Sequence, residues 1–363
     1  MSVASGAAGR LVRGLEIRPI SLELTEPFAI AGGAPERAEN VVVRIELEDG
    51  TVGLGEAAPF EVVTGETQRS TLDALDRLRE LVLGADVAAW RALAAGMAET
   101  ASDAPAARCA VEQAVIDALA RRSGLSVGQF FGGRAEALET DVTIIAGSLD
   151  HARDMAAKFA ARGFQSLKVK VGKDGWKADA DRVEAVARAA PGLRILIDAN
   201  GGYDVAAALA LLAELKKRSI AVRLFEQPVV PWDLDGMARI AKEGGVTVCA
   251  DESARSAADV VAIARRGAAG AVNLKITKTG VVEALAMWHV AQAAGLEIMI
   301  GGMVEAELAM TFSAHLASGL GGFAFVDLDT PLFLKQSPFR GGFTLDRDKI
   351  VIPSGIGIGV GLP

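Results

Sequence analysis

Apolar and polar positions along the chain follow two rhythms before residue 125 and a third after it. From about Leu15 to Phe60 the period is two. "LEIRPISLEL", "VVVRIEL" and "TVGLGEA", the last two joined by a turn around Asp49-Gly50, predict an antiparallel hairpin sheet. From Thr67 to about Arg122 the period is helical in "TLDALDRLRELVL", "DVAAWRALAAGM" and "APAARCAVEQAVIDALARR", with Pro105 close to a helix start and Gly124 just past an end. Strands followed by helices make an α+β unit, placed at residues 1–125.

After about Asp141, short apolar runs alternate with Ala-rich helical stretches, the pattern of a parallel sheet built from βα units. Eight strands are predicted: "TDVTIIA", "SLKVKVG", "RILIDAN", "RLFEQPV", "VTVCADE", "AVNLKI", "EIMIGGMVE" and "FAFVDLDTP". Charged residues recur at their carboxyl ends, with steps of 28, 28, 25 and 24 residues from Lys170 through Asp198, Glu226 and Asp251 to Lys275. An open sheet spreads such ends along a line, whereas a closed TIM-type α/β barrel gathers them into one ring. The barrel is placed at 126–333. The Gly-rich tail, 334–363, is placed back against the first unit.

Composition removes several function classes. With 51% hydrophobic and 23% charged residues, the 363-residue chain reads as globular. A net charge of −8 without a basic run points away from nucleic acid and anionic membranes, and no apolar segment approaches the ~20 residues of a membrane span. Cys109 and Cys249 lack metal or disulfide spacing and read as core residues of a reduced, cytoplasmic protein. "MSVASGAAGRLVRG" lacks the apolar core of a signal peptide, and the expected state is a homo-oligomer.

Three carboxylates at one barrel mouth repel one another and call for a cation. All-oxygen ligands from Asp198, Glu226 and Asp251 suit Mg²⁺, with Mn²⁺ as the other candidate. Taken singly, each acid would read as a helix cap or ion-pair partner. Lys168 and Lys170 alternate in "KVKVG" and so share a strand face, where mutual repulsion and desolvation are expected to lower one pKa and make a general base. Lys170 and Lys275 end strands two and six, opposite each other in a ring of eight. Two bases on opposite faces of one carbon invert it, so the arrangement points to racemisation or epimerisation. Asn200 and Asn273 are expected to orient the lysine and the ligands. Asp327 and Asp329, with no third acid adjacent in sequence, read either as a pocket for a cation such as a substrate ammonium or as capping residues near Pro331. "GLGE" near Gly53 lacks the rest of a dinucleotide fingerprint, and no phosphate loop is present.

"KVK", "DAN", "EQP", "DES" and "NLKITKTG" together resemble the enolase superfamily, in its muconate lactonizing enzyme subgroup, and most the dipeptide epimerases. The resemblance covers nearly the whole chain. It implies a modified (β/α)₇β barrel capped by the first domain and the tail, with Lys170 and Lys275 as bases assisted by Lys168. It also implies that Asp327 and Asp329 hold a dipeptide's α-ammonium, with Gly302 and Met303 beside the substrate. Members acting on L-Ala-D/L-Glu carry an arginine in the capping loop, where this chain reads Gly32 among Ala29, Ile30, Ala31 and Gly33. The resemblance therefore points from glutamate towards an apolar or bulky second residue, unless Arg37 takes the arginine's place. A cycloisomerase, an o-succinylbenzoate synthase or N-acylamino acid racemase, and a non-catalytic metabolite-binding barrel are the alternatives.

Overall fold

Period-two alternation yields three antiparallel strands, β1 (Val12–Glu23), β2 (Arg37–Leu47) and β3 (Val52–Ala57), paired in that order. They belong to a computed structural model that describes residues 9–27, 36–133 and 137–362. β2 begins at Arg37, four residues before its apolar run. There the ladder to β1 is extended by polar pairs, Arg37 Nη1 to Glu23 Oε1 at 2.8 Å and Ser21 Oγ to Glu39 Oε1 at 2.6 Å. The predicted turn stands, with Gly50 at φ +84°, where a side chain would be strained.

After a single helical turn, Glu61–Thr64, the helix Gln68–Val82 starts three residues ahead of its apolar repeat because Thr67 and Ser70 form a reciprocal capping box. Its neighbours are a short 3₁₀ turn, Val87–Ala89, and the helices Trp90–Thr100 and Pro105–Arg122. The last of these lies directly on β3. A Cβ at Gly53 or Gly55 would stand 2.0 Å from the carbonyl oxygen of Ala114 or Ala110, so the glycines of "GLGE" serve close strand–helix packing. Its buried polar residues join the two halves of the molecule: Asp117 accepts N–H bonds from Leu54 and Ile358, and Glu112 accepts one from Val282.

All eight predicted barrel strands form, parallel and in sequence order: Val142–Ile144, Ser166–Lys170, Arg194–Asp198, Val222–Glu226, Thr247–Ala250, Ala271–Leu274, Glu297–Ile300 and Phe325–Val326. The regular ladder does not run between the first and last of these. The gap is bridged where Asp141 N–H donates to Val326 O at 2.9 Å and the Thr140 hydroxyl to the same oxygen at 3.2 Å. Helices Leu149–Ala161, Trp176–Ala189, Val205–Lys217, Leu234–Glu243, Ala257–Arg266, Val281–Ala293 and Glu307–Leu320 fill the seven intervals. Inside, Leu196, Leu224, Cys249, Ala271, Met299 and Phe325, one from each of strands three to eight, form an apolar plug. Polar side chains on the same inward faces, further along the strands, therefore sit above a dry floor.

The tail forms a hairpin, Thr344–Asp346 with Lys349–Val351, that pairs with Leu138–Glu139 at the barrel entrance. His315 accepts the Gly128 N–H at 3.2 Å on Nδ1 and places Nε2 3.0 Å from Ile358 O, tying the tail to the barrel. Among the described residues no helix is long and apolar enough to cross a membrane.

Candidate active site

Strands two, three and four end on Lys170, Asp198 and Glu226, which are ladder neighbours, and Asp251 and Lys275 directly follow strands five and six. All five are buried. Lys170 Nζ lies 2.6 Å from Asp198 Oδ2, and Lys275 Nζ lies 2.7 Å from Asp251 Oδ2. Lys168 Nζ stands 2.7 Å from both Glu226 Oε2 and Asp327 Oδ2 and 3.2 Å from Asp198 Oδ2. The three lysines, Asn200, Gly302, Met303, Asp327 and Asp329 line one recess. A Cβ at Gly302 would meet the side-chain ends of Glu305 and Met310 at 2.1 Å, so a larger residue there would have to displace both.

Both asparagines hold site residues. Asn273 Nδ2 donates to Glu226 Oε1 at 2.8 Å, while Asn200 accepts from Lys170 at 3.2 Å and donates to Glu252 Oε1 at 3.1 Å. Asn200 and Gln227, each just past a strand end, have positive φ values of 43° and 33°, strain of the kind retained where the surroundings over-determine the backbone. Sequence reasoning missed several supports. Gln227 Oε1 accepts the N–H groups of Asp251 and Ser253 and so fixes the loop that presents Asp251. Lys278 Nζ lies 2.6 Å from Asp251 Oδ1 and 2.5 Å from its carbonyl oxygen. Tyr203 and Arg182 both bind Asp179, which with Tyr203 accepts the Gly172 N–H just beyond Lys170. "EQP" and "ITKTG" contained two of these residues, but a period-based reading assigns them no partner.

For Lys168 the electrostatics run opposite to the expected repulsion. Burial alone would lower the Lys168 pKa, but Asp327, Glu226 and Asp198 outweigh it and hold the ammonium well above the usual lysine range. Lys275 is likewise raised by Asp251 and Glu226 against the pull of burial. Surrounding carboxylates, not lysine–lysine repulsion, dominate, because the barrel interleaves the two charge types. Lys170, Lys168 and Lys275 in turn bring Asp198 down to about 2 against burial. Burial and the charge of Asp198 push Glu226 up to about 6.

Glu226 Oε2 is buried and makes no hydrogen bond, but it lies 2.7 Å from the Lys168 ammonium. That oxygen and the carboxylate oxygens of Asp198 and Asp251 make an all-oxygen donor set of the kind that suits a hard divalent cation. Each acid is turned towards a lysine, however, and among the described residues the three acids that each place one oxygen within 4.8 Å of the others are a different set, Asp141, Asp327 and Asp329. Asp327 and Asp329 thus do have a third acid beside them. Sequence could not show it, because Asp141 lies 186 positions before Asp327 and reaches it only through barrel closure. Lys168 keeps Asp327 below the usual carboxylate range against burial, whereas burial and Asp327 push Asp329 up to about 7.

From the capping unit, Phe60 and Val63 border the recess, and Arg255 Nη2 holds the Val63 carbonyl at 2.7 Å. Phe60 and Val304 also border a second recess with Ala38, Pro59 and Val62, giving an apolar side to the mouth. Gly32 and its neighbours at 29–33 lie outside the described residues. Arg37 also borders that second recess, where it is engaged by Glu23 and Ser21.

Residues 13–132 match the mandelate racemase / muconate lactonizing enzyme N-terminal domain, and residues 150–363 the enolase C-terminal domain-like family. The aromatic dipeptide epimerase of Herpetosiphon aurantiacus is 50% identical, over 97% of this chain and 99% of that protein. The crystal structure of a mandelate racemase/muconate lactonizing protein from the same organism superposes with a TM-score of 0.95 at 49% identity, covering 98% and 99% of the two chains. That of a dipeptide epimerase from Enterococcus faecalis V583, complexed with Mg and the dipeptide L-Leu-L-Tyr, gives 0.93 at 30% identity, covering 96% and 99%. With both halves matched and the strand-end residues in place, the chain belongs to the mandelate racemase/muconate lactonizing enzyme family, within the enolase superfamily.

Proposed function

We propose that the protein is a Mg²⁺-dependent dipeptide epimerase that inverts the α-carbon of the C-terminal residue, and that this residue is apolar or aromatic. The observation that carries the reading is the placement of Lys170 and Lys275, four strands apart in a ring of eight, on one recess that also contains Asp327 and Asp329. Asp327 and Asp329 hold the substrate's ammonium. Asp198, Glu226 and Asp251 would hold Mg²⁺, which would supply positive charge for the substrate carboxylate and offset the acids' charge on the lysines. One lysine, deprotonated, removes the α-proton from its face and the other returns a proton to the opposite face. The Lys168 ammonium, buried and fixed by Asp327 and Glu226, stabilises the charge that develops on the ene-diolate, a contribution of about 3 kcal/mol for one preorganised donor.

The apolar side chains of Phe60, Val62 and Val304 beside the recess support an apolar second residue, as do the names of the related aromatic dipeptide epimerase and the L-Leu-L-Tyr complex. The engagement of Arg37 with Glu23 speaks against its replacing a glutamate-binding arginine. Two free, buried cysteines suit a reducing cytoplasm, and Trp232, 81% exposed, gives a homo-oligomer an apolar contact to cover.

The test is an L-Ala-L-Xaa panel in D₂O with Mg²⁺, followed by proton NMR. L-Ala-L-Phe and other apolar members are expected to lose the C-terminal α-proton signal and gain the L,D diastereomer. Absence of exchange across the panel would reject the assignment. Preference for L-Ala-L-Glu would reject the specificity.

A further inference from the structure

Asp141 is a buried acid beside the site to which the proposed reaction gives no task. It is 4% exposed, and both carboxylate oxygens are buried without a hydrogen-bond partner. Nearby donors are directed elsewhere: Lys168 Nζ to Asp327 and Glu226, the Thr143 N–H to Asp329 Oδ2 at 2.6 Å, and the Thr140 hydroxyl to backbone carbonyls. Facing Asp141 are the carboxylates of Asp327 and Asp329, with one oxygen of each acid within 4.8 Å of the others. From the amino-terminal end of the barrel a recess lined by Glu139, Ser166, Arg194 and Arg223 reaches Asp141. Its arginines are paired, Arg194 with Glu139 and Arg223 with Glu297. Carboxylate oxygens facing one another in a dry interior need a proton or a cation between them.

We propose that Asp141 is a neutral carboxylic acid that donates its O–H to the Asp327/Asp329 pair and acts as a positioning residue for the ammonium pocket. The proposal rests on the reading of Asp327 and Asp329 as holders of the substrate's ammonium. The proton belongs on Asp141 rather than on its partners: Asp327 abuts the Lys168 ammonium, and Asp329, although burial and Asp327 push it up to about 7, accepts a backbone N–H that favours its ionised form. Asp141 has neither, and burial followed by the charge of Asp327 pushes its carboxyl well above the usual range. An O–H bond to the pair lowers its internal repulsion and holds the two carboxylates in the orientation the incoming ammonium meets.

Asp141→Asn and Asp141→Ala discriminate, because asparagine keeps an N–H donor in place and cannot ionise. Steady-state epimerisation of L-Ala-L-Phe by the Mg²⁺-saturated protein is expected to show Asp141→Asn within about threefold of the parent in KM, with an unchanged pH profile of kcat/KM. Asp141→Ala is expected to raise KM about ten- to hundredfold, the loss of one hydrogen bond to a charged group, with a much smaller change in kcat. An Asp141→Asn variant as impaired as Asp141→Ala would overturn the proposal, since a charge would then be required. So would a second equivalent of bound Mg²⁺ in calorimetry that disappears in Asp141→Asn, which would place a cation among the three acids. The infrared difference between parent and Asp141→Asn at neutral pH should contain a protonated-carboxyl C=O band, and its absence would overturn the proposal even if Asp141→Ala does not fold. If the parent epimerises no dipeptide, the function fails separately, and the infrared band still decides where the proton is.

Discussion

Replacing Glu305 with glutamine probes the site's wall without touching the lysines or the proposed ligands. The Glu305 side chain is fully buried; Oε2 accepts the Met303 N–H at 2.8 Å, and Oε1 has no partner. Burial first and the nearby Glu56 carboxylate second push it from 4.5 up to about 8. At ~1.4 kcal/mol per pKa unit, this rise sets a ceiling of roughly 5 kcal/mol on the cost of holding the group ionised in the folded state. The folded value is the raised one, so between about pH 4.5 and pH 8 the unfolded chain gives up a proton that the native state keeps. Stability from this group is therefore full below pH 4.5, falls as pH rises, and levels off above pH 8. Glutamine keeps the acceptor for Met303 and removes the ionisation. In guanidinium unfolding with chelator present, Glu305→Gln should match the parent within about 1 kcal/mol near pH 4.5 and exceed it by about 2–5 kcal/mol at about pH 8.5. An offset of the same size at both pH values would refute the reasoning, because a packing effect does not titrate.

Lys275→Ala should abolish net epimerisation of L-Ala-L-Phe while leaving slow solvent exchange at the α-carbon from the Lys170 face; full epimerase activity by polarimetry would exclude a two-base scheme. Gly53→Ala would drive a methyl to 2.0 Å from the Ala114 carbonyl and should cost about 3 kcal/mol or more, read as a lowered denaturation midpoint or loss of soluble protein. Tyr203→Phe removes the hydroxyl shared by Asp179 and the Gly172 N–H, leaving the carboxylate of Asp179 with Arg182; circular dichroism should show about 1–2 kcal/mol lost. Chelation should lower the thermal midpoint and return of Mg²⁺ should restore it, since a cation bound only by the folded state stabilises that state.

Strand order, the division between an α+β unit and a βα repeat, and the residues at the strand ends were all legible from the sequence. Each depends on a local period or on a spacing of one βα unit, and a barrel converts such spacing into proximity with no further information. Partner choice was not legible in this way. Lys168 and Lys170 looked like a repelling pair, but strand pairing places Asp198 beside one and closure of the ring places Asp327 beside the other, so attraction outweighs repulsion. Asp141 read as an unremarked residue at a strand entrance, and only the junction of first and last strands brings it to Asp327 and Asp329. Gly53 and Gly55 looked like a broken nucleotide fingerprint until the helix they accommodate was in place. Sequence periodicity determines which face a side chain occupies; the electrostatics of a buried site depend on distances of 3–5 Å across strands far apart in the chain, and only tertiary structure decides those.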